Sequence, residues 1–343
     1  VAIVNDKRSV ITGLELRHHA RIVPASPGSR AKPRDNKKMG MTVMVDIRLL
    51  VDSHNHLGEG PLWDVEEQRL YWIDSSAAEI WSCTADGADV KLYYVPSHIG
   101  SMALREKGGA VLALANGFSL YDFKTQRLTH IGDPEADEPE NRLNDGKVDR
   151  RGRFLAGYMS YDHDRQDANR GQRPVRNAAL YRLDPDLTIT QLDTGIKCSN
   201  GPCWSPDNKT FYFADSYDNL MYAYDYDIET GGVSNRRIFA NTYDYPGTFD
   251  GSTVDSEGYI WNAHVFGGRL IRYAPDGSID RMIPFPLRNL TSVMFGGPDL
   301  DILYVTSMGR PIKGVPQREA HAGGVYAVRG LGVKGLPEPR FAG

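Results

Sequence analysis

From about residue 52 to residue 330, short apolar runs alternate with clusters of Gly, Asp, Asn and Pro, and no stretch sustains the 3.6-residue hydrophobic period of a long helix. Runs such as Leu70-Tyr71-Trp72-Ile73, Val111-Leu112-Ala113-Leu114, Phe211-Tyr212-Phe213-Ala214 and Ile302-Leu303-Tyr304-Val305 therefore read as strands. Pro206-Asp207-Asn208 and Pro275-Asp276-Gly277 read as the turns between them. The pattern repeats. Six segments open on Glu59-Gly60, Gly100-Ser101, Asp145-Gly146, Asn200-Gly201, Asp250-Gly251 and Thr291-Ser292, with spacings of 41, 45, 55, 50 and 41 between the second residues of each pair. Units of roughly 40–50 residues, each holding several short strands, have the length of a propeller blade. The expectation is an all-β chain folded as a six-bladed β-propeller over residues 45–330. A basic, disordered extension is expected over 1–44 and a tail over 331–343. A strand from residues 45–51 is expected to close the ring against 323–329 in a shared blade.

Propeller geometry turns repeat phase into proximity, because the innermost strands surround one channel. Glu59, Asn144, Asp145, Asn200 and Asp250 share that phase, so four blades deliver carboxylates and carboxamides to one mouth. Taken singly, Asn-Gly and Asp-Gly are common turn dipeptides. The shared phase of four of them is what argues for a site. Two carboxylates facing a low-dielectric channel repel each other, and a cation relieves that repulsion. Glu59 and Asp250 with the neutral oxygen of Asn200 form a donor set for one hard divalent ion, its remaining positions filled by water.

Several motifs, in order, resemble the gluconolactonase, regucalcin and senescence-marker family of six-bladed propellers. They are Gly58-Glu59-Gly60-Pro61-Leu62-Trp63, Asn141-Arg142-Leu143-Asn144-Asp145-Gly146-Lys147, Ser199-Asn200-Gly201-Pro202-Cys203-Trp204-Ser205 and Asp250-Gly251-Ser252-Thr253-Val254, followed by the closing segments Phe295-Gly296-Gly297-Pro298-Asp299-Leu300 and Gly335-Leu336-Pro337-Glu338-Pro339-Arg340-Phe341. The resemblance implies that Glu59, Asn200 and Asp250 bind the metal, that Arg142 and Asn144 line the substrate pocket, and that Asp250 is also the general base. It implies metal-dependent hydrolysis of a sugar aldonolactone, with Ca, Zn, Mn, Mg or Fe as the ion. Two alternatives stand beside it: a calcium-binding regulatory propeller without turnover, and a metal-dependent phosphotriesterase or esterase. Phe249 and Tyr158 depart from the family pattern, which usually has proline and threonine there, and both are positions that reshape a pocket.

Charge narrows the partners. Residues 1–40 carry nine Lys/Arg against three Asp/Glu, a net of +6, which leaves −10 on the remainder of a chain whose total is −4. An acidic body argues against nucleic acid, and no apolar run reaches the roughly 18 residues of a membrane span. The expected partner is a small-molecule sugar lactone. Three cysteines, Cys83, Cys198 and Cys203, lack metal-ligand spacing and predict reduced thiols in a cytoplasmic protein. His54-Asn55-His56 has the spacing of a zinc pair but sits at the start of a propeller repeat, so both histidines are expected to be polar edge residues. His264 is expected to be a buried, hydrogen-bonded or pocket-wall residue. Asp225-Tyr226-Asp227 reads as a turn, and the acidic run from Asp133 to Glu140 as a solvated loop.

Overall fold

The computed structural model describes residues 45–160, 178–311 and 316–343. The expected extension over 1–44 lies outside these residues. Among the described residues there is no helix, and the strands form six four-stranded antiparallel sheets. The chain is a six-bladed β-propeller.

Blade one runs outward through β2 (Gly58–Asp64), β3 (Arg69–Asp74), β4 (Glu79–Thr84) and β5 (Lys91–Tyr94). Blade two follows as β6 (Ile99–Leu104), β7 (Ala110–Leu114), β8 (Gly117–Tyr121) and β9 (Leu128–Gly132). Blade three comprises β10 (Asn141–Val148), β11 (Phe154–Ser160), β12 (Ala178–Leu183) and β13 (Ile189–Ile196). Blade four holds β14 (Ser199–Trp204), β15 (Thr210–Asp215), β16 (Leu220–Asp227) and β17 (Gly232–Asn241). Blade five holds β18 (Thr248–Val254), β19 (Ile260–Val265), β20 (Arg269–Tyr273) and β21 (Ile279–Pro284). Blade six takes β22 (Leu290–Gly296), β23 (Ile302–Ser307) and β24 (Val325–Arg329), and its outer strand is β1 (Asp46–Val51) from the other end of the chain. Asp46 pairs with Arg329 and Leu49 with Tyr326, so the ring closes where the sequence predicts.

The middle strands are apolar on both faces because each blade packs between two others. β7 and β23 are buried at every residue. The core lies between blades. Phe249, Ile260 and Ile271 of blade five pack on Tyr212, Ala214 and Met221 of blade four. At about 1.5–3 kcal/mol for each fully buried large apolar side chain, these interfaces hold the ring independently of anything bound in the channel.

Each inner strand is bulged at the same place. Its register against the second strand shifts between Glu59 and Leu62, Leu143 and Gly146, Asn200 and Cys203, and Phe249 and Ser252, with equivalents in the other two blades. A bulge leaves a residue outside the ladder and bends the strand, which turns the repeat-phase side chain toward the axis. Gly60 and Gly201 follow Glu59 and Asn200 with φ of +51° and +56°, a conformation that favours glycine. A side chain at Gly201 would also meet Ser252 Oγ at 2.5 Å, so glycine here permits the inner strands to approach.

The segment after β24 crosses the opposite end of the inner strands. Gly335 bridges to Asp255 and Phe341 to Arg105, Phe341 is fully buried, and Arg340 pairs with Asp64 at 2.6 Å. The expected turn at Asp225–Asp227 is corrected, and the acidic loop from Asp133 to Glu140, exposed over residues 136–140, departs from expectation at one residue. Tyr226 is a buried residue of β16 whose hydroxyl donates to Asp149. Glu135, in the acidic run, is buried and accepts from Asn141 Nδ2 at 2.6 Å and the Ala179 N–H at 2.9 Å.

Candidate functional site

Glu59, Asn200 and Asp250 stand near the starts of β2, β14 and β18, at one end of the channel, and the structure brings them together with Asn144, Asp145 and Arg142 of β10. Asn200 links most of them. One atom of its carboxamide lies 3.1 Å from Asn144 Nδ2 and 3.1 Å from Asp250 Oδ1. The other lies 2.7 Å from Ser216 Oγ. Asn144 Nδ2 also donates to the Ser199 carbonyl at 2.7 Å, and Arg142 Nη1 donates to Asn144 Oδ1 at 2.7 Å. Arg142, Asn200 and Asp250 are all buried.

Asp145 differs in role. Its two oxygens accept the N–H groups of Gly146 and Gly201 at 2.8 and 2.9 Å, so it braces the bulge of the next blade. Below it, a cavity of about 20 Å³, room for one water, is lined in part by Asp145, Lys147, Ser252 and Glu338. Lys147 crosses there to donate to the Ser252 carbonyl at 2.8 Å.

The electrostatics are those of crowded anions. Glu59, enclosed by the channel wall, is pushed up to about 8, by burial first and then by Asp145; the Gly60 N–H, Arg142 and Arg310 oppose the shift. Asp250 is raised well above the usual carboxylate range by burial and then by Glu59 and Asp145. Asp145 is raised by burial, against the pull of Lys147. Three carboxyls whose proton affinities rise together form a site that favours bound positive charge.

Among the described residues, no three His, Cys, Asp or Glu side chains are placed to hold a metal ion. The donor set here is a mixed one of two carboxylates and a carboxamide. It fits a hard cation on chemical grounds. With Asn200 Oδ1 facing the channel, two oxygens face each other at 3.1 Å, an arrangement that is repulsive alone and favourable around a shared cation.

The remaining candidates fall outside this cluster. His54 and His56 are exposed, and the His56 N–H donates to Asp74. His264 is fully buried with its Nε2 2.9 Å from Tyr273 Oη. Phe249 packs on His264 and Tyr273 inside blade five, and Tyr158 donates to Asp133 at 2.6 Å. The three cysteines are buried free thiols.

Sequence reasoning missed Ser216 and Arg310. Ser216 had a signal: Ile73-Asp74-Ser75 and Ala214-Asp215-Ser216 end the second strands of their blades in the same way. Arg310 lies on the connection between β23 and β24, where the repeat carries no phase.

A six-bladed propeller with acidic and carboxamide side chains converging at one end of its channel is the class defined so far. Residues 57–309 match the SMP-30/Gluconolactonase/LRE-like region. Xenopus laevis regucalcin is 38% identical over 87% of this chain and 99% of its own length. A solved luciferin-regenerating enzyme superimposes with a TM-score of 0.80 at 30% identity, covering 87% of this chain and 99% of that one. The calcium-binding protein regucalcin from Agrobacterium tumefaciens gives 0.77 at 27% identity, covering 86% and 96%. The chain belongs to the SMP-30/gluconolactonase/LRE-like family.

Proposed function

We propose that the chain is a metal-dependent lactonase that opens a sugar aldonolactone to its aldonic acid. The observation that carries this reading is the union, at one end of the channel, of the mixed donor set Glu59, Asn200 and Asp250 with buried Arg142 and its half-buried partner Asn144. A divalent cation held by the first three would polarise the lactone carbonyl and stabilise the negative charge that develops on its oxygen. Asp250 takes the proton of the attacking water on a carboxylate oxygen and returns it to the ring oxygen as the C–O bond breaks. Asn144 and the planar guanidinium of Arg142 orient hydroxyl groups, and the guanidinium pairs with the carboxylate of the product. No covalent intermediate on the protein is needed.

A calcium-binding propeller without turnover is the second reading. Its support is the Agrobacterium relative, described as a calcium-binding protein. The enzyme reading stands first because the matched family includes gluconolactonases and because Arg142 adds a guanidinium donor beside the ligands. The deciding experiment is hydrolysis of a panel of sugar lactones, aryl esters and organophosphates by metal-stripped protein reconstituted separately with calcium, magnesium, manganese, zinc and iron. Metal-restored turnover confined to sugar lactones supports the proposal. Metal binding without turnover of any substrate supports the second reading, and turnover that survives complete metal removal contradicts both.

A further inference from the structure

Resting on the proposed metal site, we infer that Ser216 is a positioning residue that sets the Asn200 carboxamide with its oxygen toward the channel. The amide has two settings at the same atomic positions. In one, Oδ1 faces the channel beside Asp250, and Nδ2 donates to Ser216 Oγ at 2.7 Å. In the other, nitrogen faces the channel, donating to Asp250 Oδ1 at 3.1 Å, and oxygen accepts from Ser216. Only the first offers the channel a lone pair. The second turns N–H groups toward the place a cation would occupy.

On the channel side Asn144 Nδ2 donates to the oxygen of the first setting; on the inner side the choice depends on where the single hydroxyl proton of Ser216 points. Ser216 Oγ lies 2.7 Å from the Phe249 carbonyl, which is an acceptor only. With the proton given to Phe249, Ser216 can only accept from Asn200, and the amide oxygen is directed outward. A continuous donor chain results: Arg142 to Asn144, Asn144 to Asn200, Asn200 to Ser216, and Ser216 to Phe249. In the second setting the buried Phe249 carbonyl loses this donor. Ser216 also fastens the strand that carries Asp250, since Thr248 Oγ1 donates to the Ser216 carbonyl at 2.6 Å. Asp250 favours the second setting through a charge-assisted bond to Nδ2, and the Ser199 carbonyl, 3.1 Å from the same atom, adds a second acceptor. Asn144 Nδ2, a donor 3.1 Å from that atom, and Ser216 oppose it.

Blade one supplies a control. Ser75 Oγ donates to the Ile99 carbonyl at 2.5 Å, the same bridge to the next inner strand. The other partner of Ser75 Oγ is His98 Nδ1 at 3.1 Å, and the residue at the repeat phase of Asn200 in this blade is Glu59, whose carboxylate presents oxygen in either orientation.

The test is isothermal titration of calcium, and then manganese, into metal-stripped full-length protein, with thermal unfolding in parallel. Ser216→Ala is expected to raise the metal Kd about 10-fold or more, in the range for removal of a group that orients a ligand. Ser75→Ala, which loses the same bridge, is expected to leave Kd within about twofold. In an Asn200→Asp background, where both outer atoms are oxygens, the Ser216→Ala effect should shrink to under about threefold. A parental Kd in Ser216→Ala, equal losses in the two serine variants, or an undiminished loss in the Asn200→Asp background each overturns the inference while leaving the lactonase reading intact. Magnesium, zinc and iron are titrated in turn where calcium and manganese fail, and a parent protein that binds none of the five overturns both.

Discussion

The guanidinium of Arg142 donates to Asn144 Oδ1 at 2.7 Å, which makes the two residues implied to contact substrate a single hydrogen-bonded unit. Lysine at position 142 keeps the charge and loses the planar fork. Arg142→Lys is therefore expected to raise KM about 10-fold or more and to leave the metal Kd within about threefold. Steady-state kinetics on the best lactone and metal titration of the same preparation check the split. An equal loss in metal affinity would move Arg142 from substrate binding to support of the ligands.

Glu59 supplies one of the two charges of the donor set, and the blades are held by backbone pairing and apolar packing that do not involve its side chain. Glu59→Gln is expected to weaken divalent metal binding about 10-fold or more with the melting temperature of the metal-free protein unchanged or higher. Titration calorimetry and circular dichroism read the two parts. Parental affinity in this variant contradicts the assignment of Glu59 as a ligand.

The raised carboxyl of Glu59 also sets a pH dependence for the metal-free protein. Its ordinary value is 4.5 and its folded value about 8, so the native state binds more protons than the unfolded state across that window. Stability then falls as pH rises from about 4.5 to 8. Asp250 and Asp145, raised as well, act in the same direction. Saturating divalent metal is expected to flatten or reverse this slope, which melting curves at pH 5, 6.5 and 8 with and without metal will show.

His264 works the other way. Burial pushes it down to about 3 from 6.5, with Arg269 adding to the shift, so the unfolded chain takes up a proton that the native state refuses. Its contribution is complete above 6.5 and is lost as pH falls toward 3. At pH 5 the loss amounts to about 2 kcal/mol, or a few degrees in Tm. The Tm difference between the parent and His264→Gln is expected to narrow from pH 7 to pH 5. A constant difference contradicts a neutral, buried His264.

Much of this arrangement was legible in the sequence because a propeller converts linear period into radial position. The repeat of Glu59, Asp145, Asn200 and Asp250 beside glycines located the inner strands, and the bulges at those positions are the physical form of the pattern. Side-chain contacts between repeats were not legible. Glu135 lies in an acidic run that reads as solvated, yet Asn141 and the Ala179 N–H draw it inside. Tyr226 sits between two aspartates as a turn residue does, while its ring fills the space against Trp204 and Phe211. Ser216 carries a repeat signal in Asp-Ser, but only three dimensions place its hydroxyl between Asn200 and Phe249.

The central claim is that Asp250 both holds the metal and accepts the proton of the attacking water. Asp250→Asn keeps an oxygen ligand and removes the proton acceptor, so it separates the two roles. The measurement is lactone turnover by Asp250→Asn at metal concentrations shown by titration to saturate the site, corrected for spontaneous ring opening. A fall of at least about 10²-fold in kcat at full occupancy is the predicted result. Turnover equal to that of the parent at full occupancy would contradict it and assign the proton to another residue.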